Sequence, residues 1–330
     1  MTLMSPGEAI ASKPLENSLT QQQLLRAIAG YTHLSPLKQA LQECQPCVHW
    51  LTSRQTHSIQ TIVVEEGEAS SSLDGDPVDK SFQAYLDHVI QPLIQAGQIS
   101  DGSKVGSFDD RKLRWSNTNV DNMVDRTSQT LRLAVGPTWY QQCQMDIHRD
   151  PEDSRQLMLS GLKDHGDPYA YFARGLGVVV IPLTSRGHAF IGKRRSTHEY
   201  NNFLCFVSGW ATFCSSINAV DIYRDLEREL QEEIHFATPL SRERTTCVGL
   251  AGHPLTGEAD LVFVTQTDLE DEYFQQGNWP EHETWYAIRN RQEAQQLLDH
   301  GTVASTEEKF DIMFSSRLGL DFLINNQWTS

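Results

Sequence analysis

Residues 219–236 read AVDIYRDLERELQEEIHF. On a 3.6-residue wheel, Ala219, Ile222, Tyr223, Leu226, Leu230 and Ile234 recur at spacings of three and four and make one apolar stripe, the pattern of a helix with one buried face. Glu233 falls inside that stripe, Glu229 borders it, and Glu232 and Asp225 lie just beyond. Glu229, Glu232 and Glu233 have the i, i+3, i+4 relation that brings helical side chains together. The wheel gives this acidic face no basic partner. Like charges repel at such spacings, and a carboxylate buried alone takes up a proton, so the face is costly unless a cation compensates it. A hard divalent ion does this. Mg2+ takes a few carboxylates together with waters and phosphate oxygens, which points to phosphoryl chemistry rather than to a Cys/His metal. The reading that needs no function is a solvated Glu/Arg-rich helix face.

The segments before this helix fit the first reading. Residues 177–183, GVVVIPL, form a short apolar run that predicts a buried strand, and Ser185-Arg186-Gly187-His188 predicts a turn. Residues 189–195 then predict the return strand of a hairpin, with Lys193 and Arg195 on one face and Arg194 on the other. Three cations at a strand end can be a soluble edge. They can equally be a phosphate clamp, because guanidinium binds phosphate oxygens in pairs. The order is therefore strand, basic end, loop at Gly209 and acidic helix.

Arg228-Glu229-Leu230-Gln231-Glu232-Glu233 resembles the helical half of the Nudix box, Arg-Glu-U-x-Glu-Glu with U aliphatic, and every specified position of that half is matched. The other half differs. Val220 stands in the slot of the first Glu, Gly209 lies upstream of the strict glycine position, and His235-Phe236 replace the final Gly-U. Leu176-Gly177-Val178, Arg194-Arg195-Ser196, Thr138 and Tyr140, Gly249-Leu250-Ala251 and Glu281-His282-Glu283 resemble the Nudix branch that hydrolyses UDP-glucose and UDP-galactose, over about residues 131–320. Ser208-Gly209-Trp210 stands where that branch has Pro-Gly-Gly.

The resemblance implies an α+β fold, the Nudix α/β/α sandwich around a mixed sheet. It implies a pyrophosphohydrolase that cleaves a nucleoside diphosphate linked to another moiety, with Mg2+ or Mn2+ held by Glu229, Glu232 and Glu233. Those three acids and Glu283 are the catalytic candidates, with Glu281 as another candidate base. Arg194, Arg195, Gly209 and Trp210 are the substrate-binding ones. Trp210 would stack on a base or cap the core. Two alternatives share the fold: a catalytically silent ligand sensor, and an enzyme acting on a prenyl diphosphate.

The 330 residues suffice for one large or two ordinary domains, and 39% hydrophobic content suffices for real cores. With 27 basic against 43 acidic residues the net charge is −16, so a nucleic-acid backbone is not the expected partner and a metal-bound small-molecule diphosphate is. No apolar run reaches membrane-span length, residues 1–18 lack signal-peptide order, and the scattered cysteines suit a reducing compartment, so a cytoplasmic protein is expected. Cys44 and Cys47 form a lone CxxC pair, too few ligands to close a tetrahedral zinc site. Residues 20–28 and 35–45 predict short helices, 58–65 a strand and 80–95 an amphipathic helix. The polar segment 100–110 sets the expected division: an N-terminal α/β accessory module over 1–105, and a Nudix domain with an upstream β segment over 106–330.

Overall fold

The computed structural model of this chain describes residues 59, 61–67, 91–95, 111–116, 123–125, 128–140, 142, 143, 146, 156–158, 160, 161, 164, 165, 167, 169–195, 203–213, 220–253, 256–277, 279–306 and 308–328. The expected helices at 20–28 and 35–45, the Cys44/Cys47 pair, the segment 100–110 and Ser196 lie outside them. In chain order the elements are β1 (Thr61–Glu66), α1 (Gln91–Gln95), β2 (Arg111–Trp115), β3 (Val124–Asp125), β4 (Thr130–Trp139), β5 (Leu176–Leu183), β6 (Ala189–Arg194), β7 (Leu204–Cys205) and β8 (Val207–Trp210). There follow α2 (Ile222–Ile234), β9 (Thr245–Gly252), β10 (Ala259–Gln266), α3 (Asp271–Gln276), β11 (His282–Ile288), α4 (Arg291–His300), α5 (Phe314–Phe322) and a π-helical turn, Leu323–Gln327.

The larger sheet runs β11-β6-β5-β10-β9, with β7 on β6 and β8 on β5. It is mixed, because β5 and β10 are parallel whereas β9, β11, β7 and β8 pair antiparallel to their neighbours. Strand β5 is buried along its whole length, and the two-residue period divides its side chains between two cores. Val179, Ile181 and Leu183 face a core completed by Leu297 of α4 and by Leu318 and Leu320 of α5. Leu176, Val178 and Val180 face a second core completed by Leu226, Leu230 and Ile234 of α2. The sheet thus lies between helical layers, as an α+β sandwich requires.

Strands β5 and β6 do not form the expected continuous hairpin. Leu183 pairs with Ala189, and beyond that point β8 takes the edge of β5 at Gly177–Val180 while β7 pairs with Gly192 and Lys193 of β6. The segment 203–210 therefore crosses the opening between two neighbouring strands. Gly209 lies in β8 rather than in a loop.

The smaller sheet has the order β1-β4-β2, with β3 also on β4. Leu113, Trp115, Leu131, Leu133 and Val135 from this sheet join the α2-side core. The parallel ladder from Thr61↔Thr130 to Glu66↔Val135 joins residues on opposite sides of position 105. Among the described residues no helix is long and apolar enough to cross a membrane.

Candidate active site

Helix α2 has signals at both ends. Asp221 is its N-cap, accepting the N–H groups of Tyr223 and Arg224. At the other end the N–H of His235 reaches Gln231 O, the single bond of an αL cap, and that of Phe236 reaches Leu230 O. His235 takes the left-handed conformation, φ 55°, where glycine is the usual residue. Leu226, Leu230 and Ile234 are fully buried, and Glu233 is buried with them at 0% exposure.

The acidic face has basic partners, which corrects the wheel. Arg228 Nη2 lies 2.7 Å from Glu229 Oε1, Arg228 Nη1 lies 3.0 Å from Glu232 Oε2, and Nη2 also donates to Trp210 O at 2.9 Å. A wheel records where Cβ atoms leave the helix, whereas a long arginine folds back across neighbouring turns. Asp225 accepts the Thr212 N–H. From the sheet, Arg194 Nη1 lies 3.6 Å from Glu233 Oε1 and donates to Glu281 Oε2 at 2.8 Å. Glu233 Oε1 accepts the Ser208 N–H at 3.0 Å, while Oε2 has no hydrogen-bond partner among the described residues.

Burial sets the protonation of this cluster. It pushes Glu229 up to about 7, Arg228 opposes the rise, and Glu232 and Glu281 add to it. Glu233 is raised well above the usual carboxyl value, first by burial and then by Glu281, with Arg194 opposing. A Cβ at Gly209 would strike the Glu229 carboxylate, so glycine there allows backbone and carboxylate to share the space. Lys112 of β2 also lowers the Glu229 pKa, a contribution from the smaller sheet that local sequence pattern does not signal.

The remaining sequence candidates divide. Glu281 joins the cluster, but Glu283 turns to Lys193, 3.6 Å away, which also meets Glu308 at 3.2 Å. A register shift in β11 between His282 and Thr284 puts Glu283 off the regular alternation. Arg195 gives Nε and Nη2 to Trp279 O, at 3.3 and 2.9 Å. Trp210 is partly buried, fills the space left by Gly175, and meets Tyr140 edge-on at 6.4 Å, so in this structure it packs on the protein. His282 lies fully buried with Nδ1 3.6 Å from Glu233 Oε2.

Among the described residues no group of three or more His, Cys, Asp or Glu side chains is gathered closely enough to hold a metal ion. The donor chemistry nonetheless fits a hard divalent cation: burial disfavours the charged forms of Glu229 and Glu233, a cost a cation would offset, and one buried oxygen lacks a hydrogen bond. Arg228 and Arg194 hold the positive charge next to them.

No protein-family model matches this chain, and no curated protein matches its sequence. Among solved structures it is similar to a MutT protein from Methanosarcina mazei Go1, at 10% identity and TM-score 0.32, over 46% of this chain and 94% of that one. It is similar to a bifunctional NMN adenylyltransferase/ADP ribose pyrophosphatase from Francisella tularensis, complexed with AMP and a Mn ion, at 12% and 0.32, over 55% of this chain and 48% of that one. The E. coli dihydroneopterin triphosphate pyrophosphohydrolase is similar at 15% and 0.30, over 46% and 95%. These likenesses are too distant to assign residues or chemistry.

Proposed function

We propose that this chain is a Nudix-type pyrophosphohydrolase, dependent on Mg2+ or Mn2+, acting on a small molecule in which a nucleoside diphosphate is linked to another moiety, as in a UDP-sugar. The products are a nucleoside monophosphate and a phosphorylated second moiety. The observation that carries the reading is the convergence of Glu229, Glu233 and Glu281 with Arg194 and Arg228 at one end of a buried helix and sheet. Glu233, buried at 0% exposure, is the acid on which Arg194 and the Ser208 N–H converge.

Glu229, Glu232 and Glu233 are the residues that would hold the cation. Bound there, it would neutralise diphosphate charge and acidify a water. Glu281, tied to Arg194 at 2.8 Å, is the carboxylate we assign as the acceptor of the attacking water's proton, in preference to Glu283, which pairs with Lys193. Arg194 and Arg195 are the guanidinium groups that would serve non-bridging phosphate oxygens.

The test is incubation with Mg2+ or Mn2+ and a panel of nucleoside diphosphate derivatives, with products identified by mass spectrometry. Cleavage between the two phosphorus atoms supports the reading. A second reading, a silent ligand sensor, draws support from the arginines that already neutralise the carboxylates. Tight binding without turnover of any panel member would favour it. Cleavage of a non-nucleotide diphosphate alone would keep the chemistry and reject the substrate class.

A further inference from the structure

Strands β6 and β11 each present one side chain to the same carboxylate. Arg194 and His282 are cross-strand partners, and both approach Glu233, Arg194 from the Oε1 side and His282 from the Oε2 side. Glu233 Oε1 already has the Ser208 N–H, so Oε2 is the atom whose direction remains to be set.

The slot for the imidazole is built into the sheet. A Cβ at Gly192, on the neighbouring strand, would strike the ring at Cδ2, and the Trp285 indole lies 4.3 Å from it by centroids. The ring's other nitrogen, Nε2, is 3.4 Å from Cys205 Sγ. Burial pushes that thiol up to about 12, so Cys205 carries its proton and can donate it to Nε2. A neutral imidazole that accepts at Nε2 carries its hydrogen on Nδ1, the atom facing Glu233. At 3.6 Å the Nδ1 to Oε2 separation is longer than a hydrogen bond.

We infer that His282 is a positioning residue: its Nδ1–H orients Oε2 of Glu233, and the Cys205 thiol fixes the tautomer that makes this possible. The inference rests on the reading of Glu233 as part of the site. It involves no change of protonation at His282. A ring that merely filled a slot would not need a donor aimed at a fully buried carboxylate.

Two readouts on the full chain separate this inference from the proposed activity. The first is a long-range 1H–15N spectrum of histidine-labelled protein without metal. It should show His282 neutral with hydrogen on Nδ1, the Nδ1 signal should shift in Glu233→Gln, and the tautomer preference should weaken in Cys205→Ala. Hydrogen on Nε2, or an Nδ1 signal indifferent to Glu233→Gln, would overturn the inference whether or not the protein is an enzyme. The second compares His282→Asn, whose amide places a donor near the Nδ1 position, with His282→Phe, which fills the slot without one. On a panel substrate that turns over, His282→Phe should lose on the order of 10- to 100-fold in kcat with little change in KM, as removal of an orienting partner does, and His282→Asn should recover most of it. Wild-type turnover in His282→Phe would overturn the inference and leave the activity standing. Absence of turnover by every panel member, with the spectral result as expected, would reject the activity and leave His282 as the group that orients Glu233.

Discussion

The two faces of the larger sheet each bury an acid, and the two acids are differently placed. On the α2 face Glu233 meets Arg194, the Ser208 N–H and His282, with Glu229 and Glu281 close enough to raise its pKa. On the opposite face Asp260 of β10 lies against Gly177 of β5, and burial pushes it up to about 6, with only the Ser315 hydroxyl pulling it down. Asp260 Oδ2 has no hydrogen-bond partner, and Asp260 forms no ion pair among the described residues. Burial therefore raises both carboxyls and by itself marks neither as chemical. What distinguishes the α2 face is that groups from β2, β6, β8, β11 and α2 converge on one spot, whereas among the described residues the Ser315 hydroxyl alone lowers the Asp260 pKa.

The largest difference between the faces should appear in turnover. Glu233→Gln should lower kcat on the order of a thousandfold, and Asp260→Asn should leave it near wild type. Equal losses in steady-state kinetics would erase the distinction. Next comes stability: Arg194→Ala leaves Glu233 and Glu281 without their cation and should cost about 3 kcal/mol in urea unfolding at neutral pH. Asp260→Asn removes a buried charge that has no cation to lose, so above pH 6 it should stabilise.

The pH dependence separates the faces further. Both acids have folded pKa values above their ordinary ones, so each favours the folded state fully while protonated in both states and loses that contribution as pH rises through the folded value. For Asp260 the loss runs from 3.8 to about 6, and for Glu229 from 4.5 to about 7. Metal-free protein should therefore continue to lose stability between pH 6 and 7 because of Glu229, with Glu233, also raised by burial, adding to the fall. Glu229→Gln should make that part of a Tm-against-pH series shallower, and Asp260→Asn should do so only below about pH 6. The smallest effect lies at the C-terminal end of α2: His235→Gly relieves a left-handed residue and should gain roughly 1 kcal/mol.

Helix α2, its buried stripe and the strand order before it were legible because they are periodic and local. Glu229, Glu233 and Arg194 could be named for the same reason. Arg228 as their partner was not, since a helical wheel does not show how far a side chain reaches. Nor was it legible that Glu281 meets Arg194 while Glu283 turns to Lys193, because the register shift after His282 breaks the alternation a strand pattern assumes. Lys112 and the β1–β4 ladder depend on pairings between distant segments, which no local pattern encodes. His282 had a signal in hindsight: Gly192, in a strand otherwise free of glycine, makes the room its ring occupies.

The central claim is that the α2 carboxylates form a cation site. Titration of the metal-free full chain with Mg2+ or Mn2+ at pH 8 by calorimetry, beside the Glu229→Gln/Glu233→Gln double variant and Asp260→Asn, tests it most directly. The account predicts saturable binding by wild type and Asp260→Asn that is lost in the double variant, and equal binding by wild type and the folded double variant would contradict it.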